Sequence, residues 1–129
     1  MYSFSKTSKA RLATCHLDIQ KVLNEVIKEK DCTIICGART LKEQQKAFAG
    51  GFSKIDGVTK KSKHQVSKEK PLSLAVDVLP YPIDWQDVKG HTEFAGFVLS
   101  KAKTLGVELE WGGDWKTFKD RPHFQLKNK

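Results

Sequence analysis

Few segments leave a chain as little choice as Leu74-Ala75-Val76-Asp77-Val78-Leu79, an apolar, β-branched run closed by Pro80 and Pro82. It is too short for an ordinary helix and too apolar for a surface loop, so it predicts a buried strand. Side chains alternate along a strand, which sets Val76 and Val78 on one face and Ala75, Asp77 and Leu79 on the other. A carboxylate placed there needs a partner, because an unpaired buried charge is very costly. A salt bridge, a capping contact, a metal ligand or a catalytic acid would each meet that need.

The rest of the chain supplies a frame for this strand. Leu12, Cys15, Ile19, Val22, Leu23, Val26 and Ile27 recur at steps of three and four and predict one helix over residues 9–29. Thr33-Ile34-Ile35-Cys36, ending at Gly37, reads as a second buried strand. Thr40 and Glu43 have the spacing of a capping box, so a helix should begin there and stop at Gly50-Gly51. A third helix is expected over residues 92–105, with Gly106 just past its end. Val107, Leu109 and Trp111 alternate with Glu108 and Glu110, and Phe124 and Leu126 with His123 and Gln125, giving two more short strands. The expected class is α+β: a small antiparallel sheet with two to three helices packed on one side. The 129 residues suit one domain, and no apolar run is long enough to span a membrane.

Residues 52–73 lack periodicity and carry Lys54, Lys60, Lys61, Lys63, Lys68 and Lys70, so they read as an exposed loop. With 23 Lys and Arg against 15 Asp and Glu, the chain has a net charge of +8. That balance favours polyanions: nucleic acid, anionic lipid or the acidic polymers of a bacterial envelope. No nucleic-acid motif accompanies it, so nucleic acid is not an expected partner. Three cysteines, Cys15, Cys32 and Cys36, cannot all pair, and the opening residues do not form a secretory leader. Reduced thiols in a protein made in the cytosol are expected. His16 and His91 read as surface or capping residues.

Three polar residues stand where polar residues need a reason. Asp77 is one. His123 follows Pro122 and points away from Phe124 and Leu126, with Asp120 three residues upstream across a turn. His64 lies among the loop lysines. Singly, each is open to a structural reading. As a set, His64, Asp77 and His123 offer the two imidazoles and one carboxylate of a catalytic zinc site, with a fourth position left for water. Asp120 would then be a general base beside it, and Arg39 a ligand for a substrate carboxylate or an oxyanion.

Four segments, FSKTSKARLATCHLDIQKV, CGARTLKEQQKAFAGGFSK, LAVDVLPYPIDW and LGVELEWGGDWKTFKDRPHFQL, span nearly the whole chain and carry a resemblance. The chain resembles the small zinc peptidases related to D-Ala-D-Ala carboxypeptidases, and among them the phage endolysins that are L-alanyl-D-glutamate peptidases. The resemblance implies zinc on His64, Asp77 and His123, a catalytic carboxylate at Asp120 and a substrate-orienting arginine at Arg39. Ser62 matches the serine of the family's S-x-H, and Trp111 and Trp115 match aromatic positions near the cleft, with core packing as their plain alternative. The implied activity is hydrolysis of peptidoglycan stem peptides between L-Ala and D-Glu. The implied enzyme is a monomer that accumulates in the host cytoplasm and reaches the wall after release, without membrane insertion. A D,D- or L,D-carboxypeptidase with the same site, or a wall-binding module without turnover, would keep these residues too.

One departure stands out. The family runs S-x-H-x-x-G-x-A-x-D, whereas here Ser67 holds the glycine position and residues 67–74 lengthen the connection. Loop-closure entropy grows slowly with length, so the metal site should survive. The cleft wall and substrate preference are where the insert would act.

Overall fold

The computed structural model describes residues 2–51, 53–117, 119–127 and 129. The strands β1 (Cys32–Cys36), β2 (Ala75–Pro80), β3 (Leu109–Trp111) and β4 (His123–Leu126) form one antiparallel sheet in the order β1-β2-β4-β3. Among the described residues there are four α-helices: α1 (Lys6–Leu12), α2 (Leu17–Val26), α3 (Leu41–Ala49) and α4 (Val88–Thr104). The class is α+β, with more helices than the two to three expected.

The alternation predicted for β2 holds. Val76 and Val78 join Ile34 of β1 and Phe124 and Leu126 of β4 in one apolar core, roofed by Leu12, Ile19, Val22, Leu23 and Val26 from the first two helices and by Phe94, Ala95 and Val98 of α4. Asp77 therefore faces away from α1, α2 and α4. The third helix, α3, adds nothing to this core, and its one buried residue is Gln44. Its start is as expected: Thr40 Oγ1 accepts from the Glu43 N–H at 3.1 Å, and the Glu43 carboxylate accepts from the Thr40 N–H at 2.9 Å.

Two helix expectations need correction. The single helix over residues 9–29 is broken at residues 13–16, because His16 caps a new start by accepting the Asp18 N–H at 3.0 Å. Cys15 stays buried in the break, so the apolar spacing runs on while the backbone turns. The last helix starts at Val88 rather than residue 92, capped by Asp87, which accepts the Gly90 N–H at 3.0 Å. Its extra turn carries exposed Val88 and no apolar stripe. Within it His91 is buried rather than at the surface, with Nε2 bonded to the Asp84 carbonyl at 2.9 Å.

All three cysteines are free. No helix is long and apolar enough to cross a membrane, among the described residues.

Candidate metal centre

Sheet register assembles two thirds of the site. Asp77 pairs directly with His123 across the β2–β4 ladder, and both side chains emerge on the face opposite the core. The result is 3.3 Å between His123 Nδ1 and Asp77 Oδ1. A slip of one residue would send one of the two to the other face, so the buried valines that fix the register also fix this pair.

The third member arrives from the lysine-rich segment. His64 Nε2 lies 3.1 Å from Asp77 Oδ1 and 3.2 Å from His123 Nδ1. The segment is not uniformly exposed, as the sequence suggested: Ser62 and His64 are buried while Lys60 and Lys61 face solvent. Backbone bonds pin it on both sides. The Arg39 N–H donates to the His64 carbonyl at 2.7 Å, and the Leu74 N–H to the Lys63 carbonyl at 2.9 Å. Ser62 contributes here, its Oγ accepting the His64 N–H at 3.2 Å. The lengthened connection folds outward instead: residues 67–71 are exposed, closed by the Ser67 N–H donating to the Lys70 carbonyl at 2.9 Å, and none of them lines the cavity.

Each imidazole has its outer nitrogen occupied. His64 Nδ1 donates to the Gly37 carbonyl at 2.7 Å. His123 Nε2 donates to Gln125 Oε1 at 2.8 Å, and the Gln125 amide donates in turn to Glu110 at 2.7 Å. In the neutral tautomers these bonds select, both inner nitrogens present lone pairs to the Asp77 carboxylate. Three acceptors cannot face one another at 3.1–3.3 Å without a proton or a cation between them. A tetrahedral ion with bonds of about 2.0–2.1 Å needs its ligand atoms about 3.3 Å apart, so the triangle fits such an ion. In the metal-free protein the same demand falls on protons. Burial opposes charge on the His64 ring, but the Asp77 carboxylate and the Cys36 side chain together outweigh it and raise the pKa to about 10. Burial likewise works against ionised Asp77, and hydrogen bonds from the two imidazoles prevail, holding it well below the usual carboxylate range.

Around the triangle is a cavity of about 670 Å³. Arg39, Ser62, Asp120 and Trp115 line it, together with Trp85, which the sequence reading did not single out. Asp120 Oδ2 lies 3.8 Å from His123 Nδ1. Burial, then the nearby Asp77 charge, raises the Asp120 pKa. Arg39 Nη2 lies 3.7 Å from Asp77 Oδ2, the oxygen turned away from the imidazoles. The Trp115 ring sits 5.1 Å from that of His123. Trp111 is placed differently: it belongs to the core, and its indole N–H donates to the Arg121 carbonyl at 2.6 Å.

The glycines of Trp111-Gly112-Gly113-Asp114-Trp115 have a steric reason. A Cβ on Gly112 would come within 2.4 Å of the Asp120 carbonyl oxygen, and one on Gly113 within 2.2 Å of the Trp111 ring. The Asp120 N–H donates to the Gly112 carbonyl at 3.0 Å, which is how the turn carrying Asp120 is held against the sheet.

Sequence reasoning also passed over Gln44, which is fully buried. Its Oε1 accepts from Arg39 Nη1 at 3.1 Å while its amide donates to Ser53 Oγ at 2.9 Å and the Ile55 carbonyl at 2.6 Å. No periodic signal marks it: Leu41 and Phe48 of α3 are exposed, and a polar residue anchors the helix instead.

An α+β fold with a His–Asp–His triangle that could hold a metal ion, beside a further carboxylate and a guanidinium, marks a class of proteins with hydrolytic equipment. The profile of the phage L-alanyl-D-glutamate peptidase family matches residues 1–126, and the chain belongs to that family. The L-alanyl-D-glutamate peptidase of Escherichia phage T5 is 31% identical over 98% of this chain and 90% of its own length. The peptidoglycan L-alanyl-D-glutamate endopeptidase CwlK of Bacillus subtilis (strain 168) is 32% identical over 74% of this chain and 60% of that protein. The crystal structure of the Serratia marcescens L-Ala D-Glu endopeptidase ChiX matches with a TM-score of 0.78 and 27% identity, covering 97% of this chain and 90% of that one.

Proposed function

We propose that this chain is an endopeptidase that hydrolyses the L-Ala–D-Glu bond of peptidoglycan stem peptides, with zinc held by His64, Asp77 and His123. The carrying observation is the triangle of lone-pair donors, 3.1–3.3 Å on each side, set in one cavity with Asp120 and Arg39. Family membership supports the choice of bond. Two imidazoles and a carboxylate with an open side are a donor set suited to zinc.

Bound zinc supplies Lewis acidity, acidifying water and polarising a peptide carbonyl. The protein does the rest. Asp120 takes the proton of the attacking water and delivers it to the leaving amine of D-Glu; its raised pKa suits both halves of that transfer. Arg39, braced by Gln44, offers its guanidinium to the carbonyl oxygen as negative charge develops there. Gly37 and Gln125 hold the two imidazoles in the tautomers that turn a lone pair inward. Trp115 and Trp85 shape the cavity that receives the peptide.

The test is mass spectrometry of purified peptidoglycan after incubation with the protein. New stems with N-terminal D-Glu, lost on chelation and regained with zinc, are expected. Release of free D-Ala instead would mark a carboxypeptidase, and wall binding without products a module lacking turnover.

A further inference from the structure

The cavity is unevenly charged. Its carboxylates, Asp77 and Asp120, belong to the candidate centre, while Lys54, Lys60, Lys61 and Lys63 come from one stretch of its wall. Lys63 is committed, donating to the Leu126 carbonyl at 2.7 Å. Lys60 and Lys61 are exposed, and among the described residues no carboxylate pairs with either.

The segment that presents them is a built turn. Asp56, the one acid of residues 53–63, accepts the Thr59 hydroxyl and the N–H groups of Val58 and Thr59, both at 2.9 Å. The Gly57 N–H donates to the Lys60 carbonyl at 3.0 Å, and the Gln65 amide to the Gly57 carbonyl at 3.1 Å. The turn thus ends at Lys60-Lys61, three residues before His64, with its own acid spent on backbone. Ammonium groups left without counter-charge at a cavity raise its affinity for anions.

We propose that Lys60 and Lys61 form an anion subsite that selects substrates carrying a free carboxylate on the amine side of the scissile bond. This rests on the endopeptidase reading above. A glutamyl residue joined onward through one of its two carboxyls keeps the other as an anion. In an amidated stem that group is a neutral carboxamide of nearly the same size, so discrimination falls on charge alone. Two partly exposed ion pairs are worth about fivefold together.

The experiment compares kcat/KM of the zinc-loaded, full-length protein on two synthetic stem peptides, one with the D-Glu carboxyl free and one with it as the primary amide. The wild type should favour the free acid about fivefold at low salt. In the Lys60→Gln/Lys61→Gln double variant, with melting temperature and zinc content checked, the ratio should fall below about twofold. High salt should do the same to the wild type. A ratio that keeps its wild-type value in the double variant overturns the subsite. Cleavage of neither peptide by the wild type overturns the endopeptidase reading instead, and equilibrium binding of the two peptides then decides the subsite: a preference for the acid that the variant loses supports it, and equal binding overturns it.

Discussion

The two sides of the candidate metal centre are built by different means. Asp77 and His123 sit opposite each other in a ladder whose register is fixed by Val76, Val78 and Phe124 packing under the helices. His64 comes from a segment without regular structure, and a few backbone bonds to Arg39 and Leu74 hold it. Hydrophobic burial specifies the first pair; local hydrogen bonding specifies the third member. The sheet side therefore tolerates little change in register, and the loop side tolerates changes in length wherever the pinning bonds survive.

The largest effect is expected on the sheet side. Asp77→Ala removes the group shared by both imidazoles and by Arg39, so zinc content should fall from one per chain to near zero and hydrolysis with it. Metal analysis after desalting, together with the peptidoglycan assay, checks both.

Gly112→Ala should come next. Its methyl would meet the Asp120 carbonyl at 2.4 Å, forcing the Asp120 turn away from His123. Overpacking of this kind costs about 1–3 kcal/mol, and a misplaced catalytic group about 10²-fold in rate. Thermal unfolding and kcat measure the two separately. Zinc binding should weaken along with rate, since the methyl would also lie 3.2 Å from His123 Cβ and the displaced Asp120 carbonyl accepts the His123 N–H at 3.1 Å.

On the loop side, Gln44→Ala takes three hydrogen bonds from Arg39, Ser53 and Ile55 without touching a ligand. A stability loss of about 1–3 kcal/mol is expected, with kcat reduced and zinc stoichiometry unchanged. Loss of zinc in this variant would mean that the two sides are coupled more tightly than their separate construction implies. Ser67→Gly, which restores the family's residue at the exposed turn, should change kcat/KM by less than about twofold, as expected for a surface site away from the cavity.

The same contrast explains what could be read from sequence. The β2 run announced a buried carboxylate because apolar alternation leaves no other role for its neighbours, and the capping box at Thr40 and Glu43 marked a helix start one residue before Leu41. Those signals are local and periodic. The break between α1 and α2 left no trace in the apolar spacing, since Leu12 and Ile19 are buried on either side of it and Cys15 within it. His64 looked exposed because its burial depends on partners far along the chain, Gly37 and Asp77. Gln44 and Gln125, which orient Arg39 and His123, carry no periodic signature, so their roles emerged only from distances. Trp111 and Trp115 stand four positions apart in one motif, and only packing assigns the first to the core and the second to the cavity.

His64, Asp77 and His123 bring three lone-pair donors close enough to hold one metal ion. Zinc-edge X-ray absorption on the purified protein, with stoichiometry measured on the same sample, tests this directly. The expected result is one zinc per chain with two imidazole nitrogens and a carboxylate oxygen at about 2.0–2.1 Å, absent in Asp77→Ala. A wild-type protein that holds no stoichiometric zinc, or holds it in a shell without imidazole, would contradict it.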